Sequence, residues 1–214
     1  MSSENLKVVG NIFVGVLFAG FSFLSTNIAH PQNYDFRHTK WGMSMQEVKN
    51  TENGEPINKF SKGDVLTYTS TLLDEKVVIV YNFAFNKLVR AKYMFAKYSD
   101  SLWRVFWGSF PQEKLSAGHF ILDFEKFKKE LTEKYGEPLK EGWPLHKDYH
   151  DLVKGEEGLE VLEKAIKAEK GGLYAKWMTD KTEIILIVSG RDDKISFEIG
   201  YSSEELRSLE KDGL

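Results

Sequence analysis

Residues 194 to 202 read KISFEIGYS, the most regular alternation of apolar and polar side chains in the chain. Successive side chains of a β-strand point to opposite faces of its sheet. The stretch therefore predicts a strand with one buried face and one wet face. The buried face would carry Ile195, Phe197, Ile199 and Tyr201, and the wet face Lys194, Ser196 and Glu198.

Five further runs are rich in β-branched and aromatic residues, which favour strands. Three of them follow one another as DVLTYTSTL (64–72), KVVIVYNFAF (76–85) and KLVRAKYMFA (87–96). The other two, GLYAKWMTD (172–180) and TEIILIVSG (182–190), precede the opening strand. We therefore expect two three-stranded antiparallel meanders.

We predict one helix before each meander. Each helix ends in a turn that contains the sequence GEP, as NGEP at 53–56 and as YGEP at 135–138. Ser44 and Glu47 form a capping-box pattern with Met43 and Val48 at the staple positions, which predicts a helix over about 45–52. Glycine closes a helix in the left-handed conformation, and the following proline prevents its continuation.

The second helix is predicted to begin at Asp123 as N-cap, with Leu122 and Phe127 at the staple positions. Its apolar stripe would consist of Phe124, Phe127, Leu131 and Tyr135.

The third strands of the two meanders match best at an offset of 106 residues. Matching NKL (86–88) with DKI (193–195) gives an offset of 107, but it places Arg90 opposite the core-facing Phe197. A slip of one residue reverses every side chain of a strand, so the burial pattern outweighs letter identity. An offset of 106 equates Val89, Ala91, Tyr93 and Phe95 with Ile195, Phe197, Ile199 and Tyr201.

The expected fold class is α+β, built from tandem repeats of one helix and a three-stranded antiparallel meander, with the helices packed on one face of an antiparallel sheet. The repeats would span 34–98 and 121–214, joined by an aromatic-rich connector over 99–120. The second repeat carries an insertion at about 146–171 whose Leu159, Leu162 and Ile166 have helical spacing. This inserted helix is interpreted either as a recognition helix or as a lid on the sheet.

The segment WGMSMQEV (41–48), the turn with glycine and proline, and the following meander resemble small envelope domains of the BamE (SmpA/OmlA) type. The tandem form resembles the β-lactamase inhibitor protein family, in which two repeats share one continuous sheet. The resemblance implies an architecture and a protein-binding role, and it assigns no functional residue. The chain departs from both groups in having no cysteine for lipidation or disulfides.

Residues 12 to 24, IFVGVLFAGFSFL, form an uncharged apolar run that follows Lys7. Its length suits the central region of a secretory signal and is short for a membrane span. We expect residues 1–29 to be a signal peptide cleaved after Ala29, or an uncleaved anchor attaching the chain to the membrane through residues 8–29. The predicted location is periplasmic or extracellular, with anchoring to the inner membrane as the alternative.

Composition narrows the classes of function. The 29 basic and 32 acidic residues of the 214-residue chain are well mixed and give a net charge of −3, which argues against nucleic acid as a partner. The chain has no cysteine, so disulfides, a cysteine nucleophile and lipoprotein modification are excluded. It also lacks the GxSxG and P-loop motifs, and a GxGxxG after a strand. We expect no catalysis and no cofactor.

The connector supplies the main candidate binding site. Trp103, Phe106, Trp107 and Phe110 follow helical spacing, and Arg104 flanks them. Such a stripe anchors a partner or lines a ligand groove when it is exposed. The alternative interpretation is that it packs as core at the junction of the two meanders.

A second candidate is the segment HKDYHD, where His146 and His150 stand four residues apart beside Asp148 and Asp151. On a helix the two imidazoles would share a face and could bind Zn²⁺ with a third ligand. The segment is not an HExxH motif, and an exposed polar loop is the alternative. The nearby GRDDK (190–194) predicts a hairpin turn.

The leading hypothesis is an exported envelope protein that binds a protein or a small apolar ligand through the open face of the sheet or the aromatic connector. The alternatives are a metal-dependent hydrolase that uses His146 and His150, and a structural module anchored to the membrane by its N-terminus.

Overall fold

The computed structural model describes residues 34–108, 118–154 and 157–210, which include seven strands in one antiparallel sheet. Three neighbouring strands come from each half of the chain, and a short seventh strand, β4, lies at one edge. In chain order the strands are β1 (Val65–Leu72), β2 (Glu75–Ala84), β3 (Lys87–Phe95), β4 (Lys140–Gly142), β5 (Gly172–Met178), β6 (Thr182–Arg191) and β7 (Lys194–Ser203). Their order across the sheet is β1-β2-β3-β7-β6-β5-β4. The α+β fold class is confirmed.

The core lies on one side of the sheet, which we call the first face. Three helices contribute buried side chains to it: α1 (Met45–Thr51), α3 (His119–Tyr135) and α4 (Gly158–Lys167). The predicted face of β7 is buried from Phe197 to Tyr201, and Ile195 is partly buried. Fully buried aromatic rings pack together here, as Phe95, Phe127 and Phe197 show with ring centroids 4.5 to 5.9 Å apart.

The opposite side of the sheet, which we call the second face, is approached by the remaining helix, α2 (Asp100–Trp107). Strand alternation places Lys76 on this face, because Val77 and Ile79 belong to the core. The Lys76 ammonium lies 4.6 Å from the ring centroid of Trp103 and 5.5 Å from that of Trp107. The expectation that all helices pack on one face is therefore not met, because the aromatic side chains of α2 approach the second face.

Two-residue turns close three of the hairpins. Leu73–Asp74, Phe85–Asn86 and Asp192–Asp193 all have positive φ at both positions. Such turns match the right-handed twist of the flanking strands. The segment GRDDK is confirmed as a hairpin turn.

A β-bulge interrupts β3. Asn82 lies opposite Arg90, but Phe83 lies opposite Leu88, so Val89 is the extra residue. Leu88 and Val89 are both buried although they are adjacent, and only Leu88 belongs to the core cluster. The core-facing row of β3 therefore starts at Leu88 and resumes at Ala91, which corrects the predicted start at Val89.

The first helix follows its sequence prediction closely. The Ser44 side chain accepts from the Glu47 backbone N–H, and the Glu47 side chain accepts from the Ser44 backbone. Val48 is buried, and Gly54 has a φ of 108°, although the cap residue of the helix is Glu52. The capping box thus fixes the start of α1, as predicted.

The predicted start of the second helix is wrong. The helix α3 begins four residues before Asp123, after Gly118, because Phe120 extends the buried stripe of Phe124, Phe127 and Leu131 by one turn. Asp123 is a buried residue inside this helix that accepts hydrogen bonds from the Tyr98 hydroxyl and from Lys97 Nζ at 2.6 Å. Leu122 is 69% exposed and makes no staple.

The inserted segment contains the predicted helix, α4. Leu162 and Ile166 are buried in the core, whereas Leu159 is 53% exposed. Burial of Leu162 and Ile166 against the sheet supports the interpretation of α4 as a lid.

One edge strand of the sheet is covered in part, and the other is short. At β1, Ile57 N–H donates to the Thr67 carbonyl, and Thr67 N–H donates to Ser61 Oγ. At the other edge β4 has only three residues. Long exposed edges invite pairing with other chains, so a covered edge and a short one reduce that risk.

The N-terminal run of residues 12–24 lies outside the described residues, as does the cleavage point after Ala29. Among the helices that are described, none combines the length and the apolar character needed to cross a bilayer.

Gly190 provides a test of the packing between α4 and β6. A Cβ atom built at this residue would lie 1.6 Å from the carbonyl oxygen of Ile166 at the end of α4. We expect Gly190→Ala to lower the free energy of unfolding by at least about 3 kcal/mol, because a backbone atom must move. Urea denaturation measures the change.

Gly200→Ala is the matched control, because its added Cβ meets a side-chain methyl group, Ile185 Cγ2, at 3.3 Å and no backbone atom. Equal losses of stability in the two variants would contradict the close packing of α4 on β6.

Candidate functional site

The second face between β3 and β5 carries partly exposed apolar side chains. Ile185 and Ile187 on β6, Tyr174 on β5 and Met94 on β3 are each half-buried. Register places Ile187 beside Tyr174 on one side and beside Glu198 on the other. Within the described ranges, α1, α3 and α4 bury their apolar residues on the first face. These four side chains therefore form an accessible apolar strip.

Two groups of ion pairs lie on the same face, and one of them interrupts the strip, because Glu198 lies between Ile187 and Met94. Lys92 Nζ lies 2.9 Å from Glu198 Oε2, and both side chains are partly exposed. Glu183 accepts from Lys176 and from the Arg207 guanidinium, the latter at 2.6 Å. Each charged side chain of these two groups therefore has an oppositely charged neighbour.

A cleft of about 930 Å³ opens on the same face, between the sheet and the C-terminal 3-10 turn Arg207–Glu210. Its walls carry charged and amide side chains from several strands, and aliphatic side chains lie between them. Its lining includes Asp64, Asn82, Arg90, Lys92, Glu183, Ile185, Ser202, Arg207 and Leu209. Its volume falls in the range of ligand-binding clefts, but its lining is more polar than is usual for a small-molecule site.

The aromatic connector contributes to the second face at its other end. Trp103, Phe106 and Trp107 are half-buried side chains of α2, and Arg104 is exposed. The Phe106 ring lies 5.1 Å from that of Phe60, and the two tryptophan rings lie 5.7 Å apart. The stripe is thus partly packed and partly accessible. The fifth predicted residue, Phe110, lies outside the described residues.

A buried polar group on the first face is structural. Arg37 donates to Glu52 through Nε at 3.0 Å and through Nη2 at 3.3 Å, and the Tyr81 hydroxyl also donates to Glu52. Burial raises the pKa of Tyr81 far above its ordinary value, and the hydrogen bond to Glu52 acts in the same direction. These bonds tie the turn at Arg37 to the end of α1.

Each of the two histidines of the predicted metal site has a separate partner. His146 caps a short 3-10 turn, and its Nδ1 lies 3.1 Å from Asp148 Oδ2. His150 Nε2 lies 2.7 Å from the Leu145 carbonyl oxygen, so this nitrogen already has a partner. Among the described residues no group of three or more His, Asp or Glu side chains is placed to hold a metal ion.

The ion pairs of Glu183 predict an acid-dependent loss of stability. Burial raises the pKa of Glu183, but the hydrogen bonds from Arg207 and Lys176 outweigh it, so the net pKa lies below the ordinary 4.5. The lowered pKa stabilises the fold above about pH 4.5, and this contribution is lost as pH falls through the folded-state pKa. We expect Glu183→Gln to flatten the decline of the free energy of unfolding below pH 4.5, measured by urea titration.

Glu133→Gln is the control, because Glu133 is an exposed partner of Lys129 at 3.8 Å. Identical pH profiles of the wild type and Glu183→Gln would contradict the assignment.

The second-face strip could not have been read from a motif. Its members come from β3, β5 and β6, which are far apart in the sequence. They share only the alternation of side chains along a strand, and that alternation does not show which strands are neighbours. No protein-family model matches the chain at a significant level, and neither does any curated protein or solved structure.

Proposed function

We propose that this protein is a binding module that takes a protein partner on the second face of its sheet. The observation that carries the proposal is the half-exposed strip of Tyr174, Ile185, Ile187 and Met94, with two groups of ion pairs among and beside its side chains. Accessible apolar side chains interspersed with paired charges fit a non-obligate protein interface, because such interfaces as a whole are only about as apolar as the rest of a protein surface.

The extent of the surface supports a protein rather than a compact ligand as occupant of this face. The strip continues into the 930 Å³ cleft at one end and lies on the same side of the sheet as Trp103 and Trp107 of α2 at the other. Aromatic residues and arginine contribute most to the affinity of protein interfaces.

The competing hydrolase hypothesis has less support. It requires His146 and His150 to act on one substrate or metal, but the nearest partner of His150 Nε2 is a backbone carbonyl. Metal binding through His150 Nε2 would require this hydrogen bond to break, whereas the side chains of the second-face strip are already accessible.

The partner is proposed to reside in the cell envelope. This part of the proposal rests on the apolar run of residues 12–24 after Lys7, which has the length of a secretory signal. Membrane attachment through residues 8–29 would likewise keep the protein in the cell envelope.

We also propose that the sheet arose by duplication of a helix-and-meander unit. The residue pairs between neighbouring strands support this duplication, because they recur in the second half of the chain at nearly constant offsets. Leu66 pairs with Tyr81, and 107 positions later Leu173 pairs with Val188. Ile79 pairs with Tyr93, and Leu186 with Ile199, at offsets of 107 and 106.

The bulge at Val89 accounts for both offsets. Before it, Leu88 corresponds to Ile195 at 107, and after it, Tyr93 corresponds to Ile199 at 106. Tyr93 and Ile199 are also direct partners across the β3–β7 pair. Tyr93 thus faces its own equivalent, as the residue nearest a local two-fold axis between the repeats would.

Site-specific photocrosslinking in cells that produce the protein tests the binding surface. A photoreactive amino acid at Ile187 or Tyr174 should yield one crosslinked protein of defined mass, because both side chains lie on the second face. Leu122 is the control position, since it is 69% exposed on the outer side of α3.

Introducing Lys92→Glu should reduce the crosslink at Ile187, because it replaces an ion pair with Glu198 by a like-charge pair. The proposal fails if Ile187 yields no crosslink, or if Leu122 yields the same product equally well.

Deleting single residues tests the duplication. Removing Val89 should leave a folded protein, less stable by no more than about 2 kcal/mol, because β3 would then match the bulge-free β7. Removing Ser196 from β7 should prevent folding, because a one-residue shift turns its core residues to the wrong face. Circular dichroism with urea denaturation distinguishes the two, and equal damage by both deletions would refute the proposed equivalence.

A further inference from the structure

The turn that follows α1 contains the only Asn-Gly pair of the chain, Asn53–Gly54. Both residues are exposed, and α1 ends before them at Thr51, with Glu52 as its cap residue. Gly54 has a φ of 108°, and a Cβ atom built on it would meet no atom beyond its two chain neighbours within 4 Å. The pair therefore lies in open surroundings at the surface of the protein.

The reactive groups of this pair are not held by hydrogen bonds. Within residues 34–108, 118–154 and 157–210, the Gly54 N–H has no acceptor, and the Asn53 side chain has no hydrogen-bond partner. Exposed backbone with few restraints is the part of a fold that changes conformation at the lowest cost in free energy. No hydrogen bond of the fold has to break before the Gly54 nitrogen and the Asn53 side chain approach each other.

This arrangement permits an intramolecular reaction. Base removes the Gly54 amide proton, and the nitrogen attacks the side-chain carbonyl carbon of Asn53. A new N–C bond closes a succinimide ring, the bond to the side-chain nitrogen breaks, and ammonia leaves. Water then opens the ring at either carbonyl and gives aspartate or isoaspartate. Glycine favours ring closure, because it has no Cβ to hinder the attack and its backbone reaches conformations closed to other residues.

We propose that Asn53 is a site of spontaneous deamidation in the folded protein, with aspartate and isoaspartate as products, because its turn leaves the reacting groups unrestrained. The reaction consumes only water and releases only ammonia. The site lies next to α1, which packs on the first face, so this inference does not depend on the function proposed for the second face.

Deamidation alters the turn in two ways. It adds a carboxylate between Glu52 and Glu55, close to the C-terminal end of α1, where the helix dipole disfavours negative charge. Isoaspartate also lengthens the main chain by one carbon atom between two anchored points. These points are Glu52, which accepts from Arg37, and Ile57, whose N–H donates to the Thr67 carbonyl. We expect the deamidated fraction, separated by ion exchange, to unfold at a lower urea concentration than the unmodified protein.

Incubation of the folded protein at neutral pH and physiological temperature, followed by peptide mapping, tests the proposal. Trypsin releases residues 50–59, which contain Asn50, Asn53 and Asn58, so tandem mass spectrometry compares three asparagines within one peptide. Asn53 should deamidate at least about tenfold faster than the other two, because glycine follows only Asn53. A sample taken at zero time corrects for deamidation during digestion.

A synthetic peptide of residues 50–59 gives the rate in the absence of the fold. Asn53 of the native protein should react within about tenfold of the rate in this peptide, because the turn is unrestrained. Asn53→Gln should remove the reaction at this position, since the longer side chain closes its ring far more slowly.

Lys87→Gly is the matched control, because it places a glycine after an asparagine that the fold restrains. Asn86 Oδ1 accepts from the Met45 N–H at 3.1 Å, and position 87 pairs with Ala84 across the hairpin. Asn86 in this variant should deamidate at least about tenfold more slowly than Asn53 in the same molecule.

Two results with the wild-type protein would overturn the proposal. One is a native rate at Asn53 more than about a hundredfold below the rate in the peptide, which would show that the fold blocks the reaction. The other is equal deamidation of Asn53 and Asn50 or Asn58. In the variant, a rate at Asn86 equal to that at Asn53 would refute the unrestrained turn as the cause.

Discussion

The pairing of β3 with β7 holds the two halves of the chain together. Five residue pairs, from Arg90 with Ser202 to Met94 with Glu198, join strands that are separated by about half of the sequence. On the first face this ladder places Ala91 and Tyr93 against Tyr201 and Ile199, in the middle of the core. Each three-stranded meander alone would leave its third strand as an open edge, so the central ladder closes two edges at once.

The same ladder also shapes the second face. It places Lys92 diagonally across from Glu198, and the two charges make an ion pair whose carboxylate lies between Met94 and Ile187 of the apolar strip. Because α1, α3 and α4 supply the core from the first face, the stability of the fold does not require a covered second face over β5 and β6. Sheets with one packed face and one accessible face are common among antiparallel proteins, and here the accessible one carries the surface proposed for binding.

Local signals in the sequence predicted the local elements well. The alternation of 194–202, the capping box at Ser44 and the turn at Asp192 each depend on neighbouring residues, and each is present in the structure. The start of α3 was missed because Asp123 satisfies the N-cap pattern, while the buried stripe that includes Phe120 lengthens the helix by tertiary packing. The strand β4 was missed because Lys140, Glu141 and Gly142 have no strand propensity, and only pairing with β5 makes them a strand.

The candidate sites were harder to predict, because they depend on long-range contacts. Lys92 and Glu198 are 106 positions apart and form one ion pair, and the cleft on the second face combines residues of β2, β3, β6 and β7. The sequence identified the aromatic stripe of α2 but not the side of the sheet on which it lies. That choice is set by the 3-10 turn Ala96–Tyr98, which carries the chain around the end of the sheet while Tyr98 remains stacked on Phe197.

The protected edges of the sheet determine how a partner can recognise this protein. With Thr67 hydrogen-bonded to Ile57 and Ser61 at one edge and only three residues at the other, strand addition along a full edge of the sheet is restricted. Recognition through the second face therefore uses side chains, whose identity can change without disturbing the backbone ladder. Specificity on such a surface can diverge rapidly during evolution while the scaffold beneath it stays constant.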